Sequence, residues 1–424
     1  MNFYKKIIQT SLFKITSLNS FSVVLKIGIG LITSKILAIF VGPSGMALVG
    51  NLRNFLTSLE NISTLGFQNG IVKYTAENEK NKNELQKIVS TVLISLVFLT
   101  LFLSGILFFT ASFWNERIFG NNTEYLLVFK VLALVLPTYG LSIFLIAVIN
   151  GLGKFQKVIW INIIGNIIGL LISIFFILQF KTIGALLAIV IAPALLFVIT
   201  LYLVQKEIQF LQFVKFNLFD FKILKNLSSY SLMALVSSVL GPFIFLAIRN
   251  HIIQYLGIEQ AGYWETITRI SSYYLMFVST ILSVYFLPRL SKFQNNLETK
   301  NVFWQFYKYI LPVFILGLTI IYFGRFLIVE MLFTKEFLPV TDLFFWQLLG
   351  DIFKVCALIL GLQFFAKKMT SAFIITELFS LSVLYFSSLY FTKLFQIEGV
   401  VIAYAFQNFI YLVVLSLYFR KSLF

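Results

Sequence analysis

Apolar runs of roughly twenty residues recur from one end of this chain to the other, separated by short polar breaks. A helix rises about 1.5 Å per residue, so each run is long enough to cross the ~30 Å hydrocarbon layer of a bilayer. The pattern predicts twelve membrane helices, near 12–39, 45–75, 86–112, 124–150, 155–179, 183–205, 226–256, 259–289, 303–333, 338–366, 368–392 and 396–419. The expected fold class is therefore an all-α membrane protein. One polar break, Lys206 to Lys225, interleaves Phe210, Phe213, Phe216, Phe219 and Phe221 with Lys215, Asp220 and Lys222, the signature of a segment lying in the membrane surface. It divides the chain into an N-terminal six-helix lobe (1–205), a cytoplasmic amphipathic linker (206–225) and a C-terminal six-helix lobe (226–424). Six is even, so both lobes enter the membrane in the same direction and parallel repeats are allowed. A faint echo supports a repeat: Gly42-Pro43-Ser44-Gly45 precedes a polar span with Arg53, and Gly257 through Gly262 precedes one with Arg269.

Composition and charge sharpen the picture. With 59% hydrophobic and 12% charged residues, the 424-residue chain is excluded from the soluble globular class. Lys and Arg near span ends are retained on the cytoplasmic side. With both termini inside, cytoplasmic segments collect twenty cations, among them Lys80, Lys82, Lys154, Lys222, Lys367, Arg420 and Lys421. The opposite loops hold Arg117, Lys181, Lys335 and Lys393. The net charge of +16 thus reflects topology and contact with anionic lipid, and nucleic acid is not implied. Lys5 and Lys6 precede a first apolar run that is too long for a signal peptide and has no small-residue cleavage site, so it is expected to insert as an anchor. Cys356 is the only cysteine, sits in the tenth span and is expected to be a packed thiol.

Several charges lie inside the apolar runs, where a bilayer charges at least ~2.5 kcal/mol for each, so they are expected to face a polar cavity or a partner. Lys26, Arg53, Arg249, Arg269 and Lys354 are the cations concerned. At about 100° per residue the polar residues form stripes. Asn19, Ser22, Lys26, Gly30 and Thr33 share a face of the first span; Arg53, Thr57, Glu60 and Thr64 share one of the second. Ser231, Ser238 and Arg249 align in the seventh, with Pro242 expected to bend it; Glu265, Arg269, Ser272, Ser279 and Ser283 align in the eighth; Gln347, Asp351, Lys354 and Gly361 align in the tenth. Glu265 with Arg269 and Asp351 with Lys354 are equally compatible with structural ion pairs. Lys26 and Arg53 have no carboxylate one turn away and read as cavity-facing. Gly165 and Gly169 beside Asn162 and Asn166 read as helix packing. Glu60, Glu265, Asp351 and Glu377 are candidates for binding a coupling ion or for neutralising neighbouring cations.

Enzyme chemistry finds little support. His251 is the only histidine, which excludes His-dependent triads and multi-His metal sites. Gly151-Leu152-Gly153-Lys154 lacks the spacer and the following Ser or Thr of a nucleotide-binding loop. No catalytic residue, cofactor or metal is expected. Arginine-rich intramembrane cavities suit anions, and the guanidinium fork matches phosphate in a bidentate way. The residues alone thus point to translocation of an anionic amphiphile.

The chain also resembles the Wzx-type lipid-linked oligosaccharide flippases of the multidrug/oligosaccharidyl-lipid/polysaccharide (MOP) superfamily. The resemblance is carried by Leu25-Lys26-Ile27-Gly28 with Lys35, Gly42-Pro43-Ser44-Gly45, Asn51-Leu52-Arg53, Asn69 to Tyr74, Ser283 to Pro288, and Asp342 to Asp351 followed by Lys354. It implies two six-helix lobes set as a V around a central cavity. It further implies flipping of an undecaprenyl-diphosphate-linked oligosaccharide, an O-antigen or enterobacterial-common-antigen-like unit, across the bacterial inner membrane, among other polysaccharide-assembly membrane proteins. On that reading Lys26, Arg53, Arg249, Arg269, Lys354, Thr57 and Gln347 line the diphosphate and sugar cavity. A drug or cation antiporter of the same superfamily, or more remotely a membrane glycan polymerase, is the alternative.

Overall fold

The computed structural model describes residues 11–120, 122–208, 210, 214–225, 227, 235–292 and 295–423; Ser231, Phe213, Lys5 and Lys6 lie outside them. The described residues form helices and turns and no strand. In chain order the principal helices are α1 (Ser11–Phe40), α2 (Gly42–Ser63), α3 (Gln68–Glu77), α4 (Lys82–Phe109), α5 (Ala111–Phe119), α6 (Leu126–Gly151) and α7 (Phe155–Ile208). They continue with α8 (Gly241–Leu256), α9 (Ile258–Ile281), α10 (Asn296–Gln305), α11 (Leu311–Phe323), α12 (Arg325–Leu332), α13 (Val340–Ala366), α14 (Thr370–Phe395), α15 (Glu398–Tyr418) and α16 (Arg420–Leu423).

Ten helices among the described residues are long and apolar enough to cross a membrane. The expectation of twelve differs for two physical reasons. Helix α7 is a single run only nominally, because Lys181 (φ 49°, ψ −123°) breaks it into two legs. Helix α2, carrying Asn51, Arg53, Asn54, Glu60 and Asn61, is not among the ten.

Backbone contacts divide the chain into one unit of 1–36 with 52–239 and another of 37–51 with 240–424, so the first turns of α2 belong to the second unit. The first unit packs around Phe67, Val89, Val92, Leu96, Phe144, Val148 and Ile161. Glycine allows close approach there: a Cβ on Gly165 would lie 2.5 Å from Leu196 Cδ1, which makes the Gly165–Gly169 face the seam between the legs of α7. The linker is pinned to the start of α4. Lys215 N–H donates to Ser90 Oγ (3.0 Å), Asp220 N–H donates to Thr91 Oγ1 (3.0 Å), and the Lys87 ammonium lies 2.7 Å from Asp220 Oδ2. That hydrogen bond holds the Asp220 carboxyl below the usual carboxylate range. Phe216 and Phe221 remain exposed, as an interfacial segment requires.

A repeat is written in the backbone. Residues with positive φ follow helix ends at Gly42, Gly153 and Lys181 in one half, and at Gly257, Lys368 and Gln396 in the other, each pair 215 residues apart. Gly184 and Gly399 are related by the same 215 residues, and at each a Cβ would fall about 2 Å from a carbonyl of the preceding helix, Phe176 O or Phe391 O. A single offset for four pairs of positions, at three corners, points to two copies of one helical plan.

A second regularity involves proline. Wide π turns occupy Val236–Leu240, Leu282–Phe286 and Phe306–Ile310, and Pro242, Pro288 and Pro312 follow each by two residues. Proline has no N–H to donate and its ring collides with the carbonyl four residues back; inserting one residue into the preceding turn relieves that collision.

Candidate functional site

Polar side chains inside the second unit gather into two adjoining clusters. In the first, α8 presents Arg249 and α9 presents Glu265 and Arg269, all nearly inaccessible at 1%, 5% and 4% exposure. Arg249 NH2 donates to Glu265 Oε2 at 2.6 Å, and Arg269 Nε lies 3.8 Å from Glu265 Oε1. Arg249 NH1 also donates to Asn51 Oδ1 (3.3 Å), and Asn51 Nδ2 donates to Asn250 Oδ1 (3.2 Å). The Arg249 guanidinium sits 5.1 Å from the ring of Trp264, which stacks on Phe245 at 5.5 Å and 5°. Two small residues of α2 and α9 make room. A Cβ on Gly50 would lie 2.4 Å from Glu265 Oε2, and one on Gly262 would lie 2.0 Å from Pro43 O. The Gly42–Pro43 and Gly257–Gly262 segments, related as an echo in the sequence, thus lie against each other.

The second cluster centres on Asp351 of α13, which is fully buried. Its Oδ2 accepts from Ser271 Oγ (2.7 Å), Tyr274 Oη (2.5 Å) and Gln347 Nε2 (3.4 Å), and its Oδ1 accepts from Tyr404 Oη (2.7 Å). Asp351 is held by hydroxyls rather than by Lys354, whose ammonium instead lies 5.5 Å from the Tyr404 ring. Glu377 of α14, half-buried, is within electrostatic reach of Lys354. Between the clusters lies a cavity of about 100 Å³ lined by Phe245, Trp264, Thr268, Ser272, Lys354 and Tyr404. Aromatic rings beside hydroxyls, an amide and one ammonium are the groups that meet a polyhydroxylated ring and a nearby negative charge, but at about 100 Å³ the cavity is below the ~300–1,000 Å³ of small-ligand sites in this conformation.

In the first unit the predicted residues keep the stripe. Lys26 and Arg53 are exposed, and Thr57 and Glu60 are half-buried on the same helix as Arg53. Thr57 Oγ1 donates to Arg53 O at 2.9 Å, so that hydroxyl serves its own helix. The main-chain oxygen of Glu60 accepts from Ser63 (2.7 Å) and Thr64 (3.1 Å), which turns the end of α2.

The Glu265–Arg269 relation is visible in the sequence as an i, i+4 pair, and its geometry is a structural ion pair. What sequence spacing could not show is that Arg249, on the preceding helix, closes more tightly on the same carboxylate. Nor could it show Tyr274 and Tyr404 as partners of Asp351; the one available signal was that an intramembrane Asp demands donors. Among the described residues no group of His, Cys, Asp and Glu is arranged to hold a metal ion.

Residues 12–294 match the family described as polysaccharide biosynthesis protein. The chain belongs to that family. Among curated proteins it is 28% identical over 368 residues to the lipid III flippases of Escherichia coli (strain K12) and Shigella flexneri, covering 87% of this chain and 88% of each relative. Solved structures share the fold. An inward-facing multidrug-resistance MATE transporter of the MOP superfamily superposes with a TM-score of 0.72 at 14% identity, covering 93% of this chain and 94% of its own. The lipid II flippase MurJ in an inward closed conformation gives 0.71 at 16% identity, with 96% and 87% covered. The fold of this family member is therefore that of MOP-superfamily transporters, all-helical and multispanning.

Proposed function

We propose that this protein is a flippase that moves an undecaprenyl-diphosphate-linked oligosaccharide from the cytoplasmic to the periplasmic leaflet of a bacterial inner membrane by alternating access, with both termini in the cytoplasm. The observation that carries the reading is its 28% identity along 87% of the chain to lipid III flippases, within a polysaccharide-biosynthesis family. Side-chain chemistry supports the assignment of roles. In the second unit Lys354, beside the aromatic cavity, meets the diphosphate, and Gln347 and the hydroxyl-rich lining meet the sugar as the cavity widens during transport; in the first unit Lys26 and Arg53, exposed on their helices, are the cations offered to the substrate. Arg249 and Arg269 share Glu265, and the Arg249–Glu265 pair braces α8 against α9 in this conformation. Asp351, Glu60 and Glu377 are the carboxylates left to respond to a coupling ion. The protein works among other polysaccharide-assembly membrane proteins.

The fold shared with a multidrug-resistance MATE transporter supports, as a second reading, a drug or cation antiporter of the same superfamily. Ligand-dependent melting of the purified protein separates the two, because a ligand that binds the native state raises Tm by mass action. Undecaprenyl diphosphate carrying a sugar is expected to raise Tm, and Arg53→Ala to blunt the rise. Stabilisation by organic cations with none by the lipid-linked sugar overturns the proposal.

A further inference from the structure

A second polar cavity, of about 530 Å³, opens at one end of the second unit, where α13, α14 and α15 end or begin. Its volume lies within the ~300–1,000 Å³ of small-ligand sites. Lys367, Arg420 and Lys421 line it, and the lining contains no Asp or Glu among the described residues. Helix α14 starts there at Thr370 with no side-chain cap, which leaves its first N–H groups as donors, while α13 and α15 bring their negative ends to the same place, so the net positive charge is that of the three cations. Gln363 also lines the cavity; it is 2% exposed, and its Oε1 has no hydrogen-bond partner. The wall is braced: Ser422 Oγ hydrogen-bonds to Asn296 Oδ1 at 2.9 Å, and Trp304 Nε1–H donates to Leu423 O at 3.0 Å.

Two features identify the occupant. The cavity lies at the ends of the apolar spans Val340–Ala366, Thr370–Phe395 and Glu398–Tyr418, the depth at which lipid phosphates sit, and its rim carries the exposed apolar side chains of Leu417 and Tyr418. A buried amide oxygen without a partner calls for a hydroxyl, not a second anion. We propose that this cavity is a binding site for an anionic glycerophospholipid of the bilayer, with its phosphodiester on Lys367, Arg420, Lys421 and the α14 N-terminus and a headgroup hydroxyl donating to Gln363 Oε1. The site is separate from the polar clusters at Glu265 and Asp351 and independent of what the protein transports.

Native mass spectrometry of the purified full chain tests the assignment with phosphatidylglycerol, phosphatidylcholine, phosphatidylmethanol and inorganic phosphate. Phosphatidylglycerol should be retained over phosphatidylcholine. The combined variant Lys367→Gln, Arg420→Gln, Lys421→Gln should lose about fivefold in retention for each cation removed. The charge-conserving Lys367→Arg, Arg420→Lys, Lys421→Arg variant guards against a folding artefact and should keep the preference. Neutralising Lys80, Lys82 and Lys154 together should also leave it intact. Phosphatidylmethanol, which keeps the diester and lacks the hydroxyls, should bind more weakly than phosphatidylglycerol to the native protein and equally to Gln363→Met. Equal retention of phosphatidylglycerol and phosphatidylcholine, an unaffected triple Gln variant, or displacement of the lipid by millimolar inorganic phosphate overturns the assignment.

Discussion

Arg53 is the residue on which the proposed chemistry leans most, because it is exposed on a polar stripe and no carboxylate lies three or four positions away. Arg53→Ala should abolish export of lipid-linked sugar while the protein still inserts, and Lys at this position should restore only part, since a point charge lacks the bidentate fork. Glu60, two turns along the same helix, supplies the competing account. If Arg53→Ala combined with Glu60→Gln regains normal export in a cell-based assay, Arg53 was a counter-ion and not a substrate ligand. Arg249 and Glu265 behave differently. Glu265→Ala leaves two buried guanidiniums without their carboxylate and should destabilise the protein by about 3–5 kcal/mol, and Arg249→Ala, which leaves Glu265 with Arg269 at 3.8 Å, should destabilise it by less, each read as loss of folded protein on size-exclusion chromatography or a drop in Tm. Gly50→Ala should produce a similar loss with no charge removed, because its Cβ would occupy the space of the Glu265 carboxylate. Unchanged Tm in all three variants would show that the cluster does not brace α8 against α9.

The elements themselves make two further predictions. The linker is held to α4 by Lys87 and Asp220, whose folded carboxyl titrates below its unfolded value. That contribution is complete above the ordinary carboxylate pKa and is lost as pH falls through the depressed one. Limited proteolysis of the 214–225 segment should therefore be unchanged from neutral pH down to the ordinary carboxylate range and accelerate only below it; acceleration already at neutral pH would contradict the clamp. At the corners, Lys181 and Gln396 adopt positive φ with strongly negative ψ, a conformation that glycine adopts most easily. Gln396→Gly is expected to raise stability by up to about 1 kcal/mol, and Gly399→Ala to lower it, because its Cβ would meet Phe391 O. Equal melting of the two variants would refute the corner geometry. Hydropathy located the apolar spans, since apolar length is a property of single residues summed locally, but the expected span 45–75 is broken after Ser63 and its polar helix α2 is not among the ten. Hydropathy could not locate the repeat: the corners demand a backbone shape that Gly42 and Gly257 share, but that Lys181 and Gln396 reach with unrelated side chains. The proline-linked π turns were equally hidden, because proline announces a bend without saying how the helix absorbs it. For the candidate site, the stripe with Arg53 and the Glu265–Arg269 pair were legible as helical spacing. Arg249 on Glu265 and Tyr404 on Asp351 join residues 16 and 53 positions apart, and only tertiary packing brings them together.

At the scale of the whole molecule, the charge asymmetry of the loops sets the expected orientation, with the proposed lipid site at Lys367, Arg420 and Lys421 on the cytoplasmic face. Reporters fused after Lys82 and after Lys222 should read cytoplasmic, and one in the loop around Asn121 should read periplasmic; opposite labelling at any of them overturns the orientation. The central claim concerns what crosses the membrane. It is tested most directly by reconstituting the purified protein in vesicles and following the leaflet of a fluorescent undecaprenyl-diphosphate oligosaccharide, with protein-free vesicles and an organic cation as parallel arms. The account predicts protein-dependent movement of the lipid-linked glycan between leaflets, reduced to the protein-free rate by Arg53→Ala, and no uptake of the cation. Cation uptake by vesicles in which the glycan stays in its original leaflet would contradict it.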